Sequence, residues 1–347
     1  MRTSHFSLPR LRLRLLSASS YLCLALLLVD SSQSNATDIA AKPGFVGKAT
    51  FRERSFISVE GGYWFNNSAR NLAFDPDDFL VQHLSPLKPG RDGGTFAVAF
   101  GRTFGPQWDW AVAYRYASLR TSSVSSSAAS SFSTGLTGTD SVDASASNRF
   151  WYQHLDLEFG YRPPQWQAAN VRVFFGSRVL HARNKIHYQH DGVTTITSPP
   201  LGDFDKLGNF EHDINLWGFG PRAGLQASLP LAQSPLSLDA SGSAAAIFSR
   251  VNHKTAFSFM NENFPDDDIG SGTTRTRSSP IVYNLEGSLA LGYRPSNTLS
   301  VQVGYQAQQW WNLATGITSA DSEGRFQSGR SDVLVHGPFA KLTVELP

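Results

Sequence analysis

Two neighbouring stretches of this chain carry apolar side chains at every second position, with charges in between. In LDLEFGYRPPQWQAANVRVFFGSR, Leu155, Leu157, Phe159 and Tyr161 alternate with Asp156, Glu158 and Gly160. After Pro163 and Pro164 the alternation resumes with Val171, Val173 and Phe175 around Arg172. A period of two sends alternate side chains to opposite faces of a strand, so each strand has one apolar and one charged face. Proline cannot donate to a ladder, so the proline pair belongs to the turn of a hairpin. Such a hairpin needs an apolar medium on one side and water or counter-charges on the other.

The pattern recurs along the chain. SFISVEGGYWF sets Ile57, Val59, Tyr63 and Phe65 against Ser58 and Glu60, and GGTFAVAFGRTF groups Phe96, Val98 and Phe100. WDWAVAYRYA sets Trp108, Trp110, Val112, Tyr114 and Tyr116 against Asp109, Ala111 and Arg115. NLWGFGPRAGLQASL sets Trp217, Phe219, Ala223, Leu225 and Leu229 against Gly218, Gly220, Arg222 and Gln226. LSLDASGSAAAIF, IVYNLEGSLALGYR, LSVQVGYQAQQWW and the stretch from about Val333 to Leu346 repeat the scheme, with Asp239, Glu286, Gln306 and Lys341 on the polar faces. This spacing predicts about ten strands.

The connectors sort into two classes. Short ones lie near Pro106, at Pro163 and Pro164, from Pro230 to Pro235 and near Pro295; long ones span about 66–92, 121–148, 184–212, 252–279 and 313–331. The Ser-rich run from Ser122 to Ser147 has too little apolar surface to order itself strongly. Strict alternation of short and long connectors makes the two ends of the sheet different, as in membrane barrels with tight periplasmic turns and long outer loops. In lipid every backbone polar group must be paired, so the sheet closes on itself. A water-soluble sandwich alternates too, but its outer faces are polar and its connectors do not sort by length. The expected fold is therefore all-β: a transmembrane antiparallel β-barrel of about ten strands. Trp108, Trp110, Tyr161, Trp166, Trp217, Tyr293, Trp310 and Trp311 stand near predicted strand ends, where aromatic girdles form at the lipid boundary.

The first 36 residues read as a secretory signal peptide: Arg10, Arg12 and Arg14, an apolar run densest over Leu22–Val29, and small residues up to a cleavage site after Ala36. Residues 37–53 read as a short periplasmic leader and 54–347 as the barrel, which assigns the protein to the outer membrane of a Gram-negative-type envelope. Cys23, the only cysteine, lies inside the apolar run behind the bulky Tyr21 and Leu22, unlike a lipid-attachment site. A net charge of +2 offers no basic surface for nucleic acid. The expected partners are outer-membrane lipid, the barrel-insertion machinery and ions or small solutes.

The inward positions carry the candidate chemistry: Glu60, Asp109, Arg115, Asp156, Glu158, Arg172, Arg178, Arg222, Asp239 and Glu286. They either line an aqueous path and select what passes, or pair across a narrow lumen and lock it. A barrel of about eight strands is filled by side chains and a water channel needs about 16, so a ten-strand pore is narrow, or depends on more strands or a homo-oligomer. A passive pore requires a polar, continuous lumen; a structural or adhesive surface barrel would act through its five long loops. No catalytic residue, cofactor or metal is assigned. His154, Asp156 and Glu158 share a strand face, but abundant Ser and Thr single out no nucleophile. His187, His190 and Asp191, and the acidic FPDDDIGSG, lack the spacing of a metal site. GFGPRAG alternates within a strand rather than turning into a helix, so it is not a nucleotide loop; its glycines permit close packing or a bend.

FGYR, RVFFGSRVLH, NLWGFGPRAGLQASLPL, NLEGSLALGYR, LSVQVGYQAQQWWN and HGPFAKLTV together resemble the Legionella major-outer-membrane-protein-like family of pore-forming proteins, over about residues 54–347. Gly218-Phe219-Gly220-Pro221-Arg222 is the most specific piece. The resemblance implies a porin-like channel or surface protein with no catalytic residues to carry over. It departs at the end, where Val344-Glu345-Leu346-Pro347 stands in place of the usual terminal aromatic residue.

Overall fold

The computed structural model describes residues 54–66, 92–133, 137–198, 200–231, 234–262, 268–296, 298–320 and 326–346. The signal segment and leader lie outside these residues, as do 67–91 of the first long connector and 263–267 of the acidic stretch. The strands are β1 (Ser55–Asn66), β2 (Asp92–Phe104), β3 (Trp108–Ser133), β4 (Thr137–Tyr161), β5 (Arg172–Ser198), β6 (Pro200–Pro230), β7 (Leu236–Glu262), β8 (Asp268–Ser278), β9 (Ile281–Tyr293), β10 (Leu299–Ala320) and β11 (Phe326–Leu346).

Successive strands pair antiparallel except β8 and β9, and β11 returns to β1 with Ser55 opposite Leu346, which closes the barrel. β7 pairs with both β8 and β9 in one register, Val251 opposite Ser278 and Phe248 opposite Ile281. β8 and β9 are thus one wall strand interrupted at Ser279-Pro280. There Pro280 has no N–H to give, but its carbonyl accepts from Ser249 N at 3.2 Å and Ser249 Oγ at 2.6 Å. The wall therefore has ten strands. Its tight turns fall where the prolines placed them. Gly105 turns the β2–β3 connection at φ +77, in the left-handed region, and a short 3-10 turn, Pro164–Ala169, joins β4 to β5.

Outward side chains are apolar along the wall. Leu155, Leu157 and Phe159 on β4 and Val173, Phe175 and Val179 on β5 are exposed, as are Phe219, Phe248, Leu289 and Val303. In water this would be an apolar patch far beyond what a soluble monomer shows; in lipid it is the required surface. Trp108 and Tyr161 pack 4.7 Å apart at the periplasmic rim.

Three expectations change. The stretches 121–148, 184–212, 252–279 and 313–331 are for the most part not loops: the ladders of β3–β4, β5–β6, β7–β8 and β10–β11 continue through them. A hairpin ladder adds backbone hydrogen bonds residue by residue without needing an apolar face, so even the Ser-rich run extends it. Val171 precedes β5, which starts at Arg172. Trp310 is not a girdle residue: it points into the barrel and is wholly buried.

Candidate functional site

The lumen is layered along the barrel axis. Nearest the periplasmic end, Asp109 on β3 and Arg172 on β5 meet beside the turn that separates β4 from β5. Arg172 Nε donates to Asp109 Oδ1 at 2.9 Å and Nη1 to Glu158 Oε2 at 3.0 Å. Arg162, in the turn, adds a contact of 2.8 Å to Asp109.

The next layer is centred on Arg178. It binds Asp156 through two parallel bonds of 2.6 and 2.7 Å, and reaches across the lumen to Glu286 at 2.6 Å and Asn284 at 2.5 Å. Arg222 binds Glu158, donates to Ser243 Oγ at 3.0 Å and touches Glu286 at 3.2 Å. Planar guanidinium forks suit this arrangement because each can hold two carboxylates at once. Arg115 forms a smaller group with Glu60 at 2.9 Å and Gln306 at 2.9 Å. Asp239 stands apart: it accepts from Gln302 at 2.8 Å and from Ser237 at 3.2 Å. His154 lies 3.3 Å from Asp156 and 4.0 Å from Glu286. Both Asp156 oxygens are bonded to Arg178, so this cluster neutralises charge.

Above the charges the lumen is apolar. Trp64, Tyr152 and Trp310 meet there, with ring centroids 6.0 Å (Trp64–Tyr152) and 5.4 Å (Tyr152–Trp310) apart. Leu119, Leu180, Leu216, Ile247, Val282 and Val335 complete a buried cluster. Tyr152 Oη donates to Gln308 Oε1 at 2.7 Å, and Arg178 lies over the Trp310 ring at 5.7 Å, which couples the two layers. A passive pore needs a polar lumen continuous from end to end; an apolar layer interrupts it here. The signal for that layer is in the strand parity. Trp64 has the parity of Ser58 and Glu60, and Trp310 that of Gln306 and Gln308.

Beyond the apolar belt the inner face carries His212 on β6 and His253 on β7, ring centroids 6.0 Å apart. Burial, with the neighbouring His253, pushes His212 down to about 4, and burial lowers His253 as well. Both are neutral in the folded protein at neutral pH, while histidines of the unfolded chain take up protons near pH 6.5. The stability they contribute is therefore complete above about pH 6.5 and is lost as pH falls from there toward about 4. Amide protection factors along the outer part of the β6–β7 ladder, corrected for the intrinsic pH dependence of exchange, are expected to be lower at pH 5 than at pH 7.5, and His212→Phe to reduce that difference.

A family model agrees with the outer-membrane location. The family described as "Legionella pneumophila major outer membrane protein precursor" matches residues 57–346. No curated protein matches the chain. Among solved structures, a major outer membrane protein from Thermus thermophilus is 14% identical, with 84% of this chain and 99% of that one covered, at a TM-score of 0.31. The transport unit of the autotransporter AIDA-I from Escherichia coli is 8% identical, with coverages of 93% and 97% and a TM-score of 0.24. The translocator domain of the autotransporter NalP from Neisseria meningitidis is 9% identical, with coverages of 94% and 97% and a TM-score of 0.25. Likenesses this slight say nothing of what the chain does.

Proposed function

Since the chain belongs to the Legionella pneumophila major outer membrane protein family and is an outer-membrane β-barrel, we propose that it is a porin-like channel for ions or small polar solutes, narrow and closed at rest. The layering of the lumen carries this reading. From the periplasmic side a vestibule with half-exposed Gln302, Lys341 and Thr343 leads to the arginine–carboxylate layer, and the path ends at Tyr152, Trp64 and Trp310. Charged groups at close quarters select among ions, and an apolar constriction gates by excluding water. Ten strands enclose little space, so a small rearrangement of these rings decides between closed and open.

The test is single-channel recording of the refolded mature protein in a planar bilayer. Wild type is expected to show rare, small steps, and Trp310→Ala steps that are larger or several-fold more frequent. Arg222→Ala should shift selectivity toward cations, because it removes a positive charge from the path. A second reading, a non-conducting structural or adhesive surface barrel, draws on the complete burial of Trp64, Tyr152, Arg178 and Trp310. Silence of both wild type and Trp310→Ala, with each migrating as a heat-modifiable barrel, would replace the channel by that reading.

A further inference from the structure

We propose that the outer wall of β3, β4 and β5 holds the phosphate groups of the glycolipid in the outer leaflet. The strand register allows outward positions to be followed around the barrel. One row, Tyr114, Leu155, Val179, Phe219, is wholly aromatic or aliphatic. The next outward row is amphipathic. Its His181 stacks on Trp217 at 3.9 Å, bonds Gln153 at 3.2 Å and meets the edge of Trp151, from the row above, at 4.8 Å. Such rings mark the level of lipid headgroups.

Directly above come cations. Arg120 stands opposite Arg149, and Arg149 stands opposite Lys185. All three are exposed and face outward. Each lies about 12 positions along its strand from the periplasmic turn, which at about 3.3 Å per residue and a tilt near 40° is about 30 Å, just past an apolar band of about 25 Å. Arg183, beside Trp151, is held by Asp213 at 2.8 Å. Asp92 stands opposite Arg120 and Asp213 opposite Lys185; beyond Asp213 the row goes on to Lys254 and Arg275. Arg149 has a cation on each side. Among the described residues Arg120, Arg149 and Lys185 make no ion pair.

Like charges directly opposite on neighbouring strands repel and destabilise the pairing. Three in succession, at the depth of the headgroups, need an anion between them. Phosphate fits, because guanidinium groups bind its oxygens in pairs. The outer leaflet of such a membrane supplies phosphate on its sugar headgroups, above acyl chains that the apolar rows contact. This rests on the outer-membrane location and holds whether or not the lumen conducts.

The experiment is native mass spectrometry of the refolded mature protein with diphosphorylated lipid A as probe. Wild type should retain lipid adducts, and R120Q/R149Q/K185Q should lose affinity at least tenfold. Arg102→Gln, an exposed outward cation change at the periplasmic end of β2, should not. Dephosphorylated lipid A should bind wild type at least tenfold more weakly than the intact lipid does. This arm stands even if the triple variant does not assemble. Equal retention of phosphorylated and dephosphorylated lipid by wild type, or of intact lipid by a folded triple variant, overturns the proposal.

Discussion

Replacing Arg178 by alanine is expected to cost the barrel about 3–5 kcal/mol, the usual penalty for stripping one partner from a buried ion pair. Arg178 has no exposed surface. It holds Asp156 on the neighbouring strand and Glu286 across the lumen, so it ties β4 and β5 to β9. Without it Asp156 and Glu286 are left to share Arg222, at 3.5 and 3.2 Å, which already binds Glu158. The measurement is the urea midpoint of the heat-modifiable form in detergent micelles. A companion variant carrying Arg178→Met, Asp156→Asn and Glu286→Gln removes all three charges, and is expected to recover most of the loss because the burial of unpaired charge is gone. If Arg178→Ala costs no more than the exposed Arg275→Ala, the charged layer does not hold the wall together.

Gly220→Ala is expected to be comparably damaging for a different reason. A Cβ on Gly220 would stand 1.8 Å from the carbonyl oxygen of Ala246 and 2.7 Å from Cα of Ile247. No rotamer relieves a clash between Cβ and backbone, so β6 and β7 must separate where Pro221 already withholds a ladder hydrogen bond. Overpacking usually costs about 1–3 kcal/mol and occasionally more; this site belongs at or above the upper end. Gly287→Ala is the control. There a Cβ meets only Ser241 O at 3.9 Å, and the change should stay within about 0.5 kcal/mol. A folded fraction of Gly220→Ala equal to that of Gly287→Ala would remove the steric account.

The strand alternation makes the wall legible because lipid enforces it: a single-residue slip would turn every apolar side chain of a strand inward. The charged face is legible for the same reason, since Asp156, Glu158 and Arg172 alternate with their apolar neighbours. How those charges are satisfied is not. Arg178 meets Glu286 from a strand more than a hundred residues away, and nothing local in either segment marks the pair. The outer hairpins are longer than their composition suggests, because Ser- and Thr-rich runs mark weak apolar burial, while ladder formation depends on a partner strand being held in register. The aromatic layer hides in the sequence because Trp310 and Trp311 are adjacent and read together as girdle residues, although adjacent strand residues face opposite ways.

The sequence by itself determined an all-β barrel, its ten wall strands, the position of its tight turns and which face of each strand meets lipid. These follow from a period of two, from proline's missing donor and from the rule that no backbone group goes unpaired in lipid. Only the tertiary structure decided what fills the lumen. Closing the ring sets which strands face one another across the axis. That alone brings Arg178 to Glu286, and Trp64 and Trp310 to Tyr152, as partners distant in sequence that converge because the barrel is narrow.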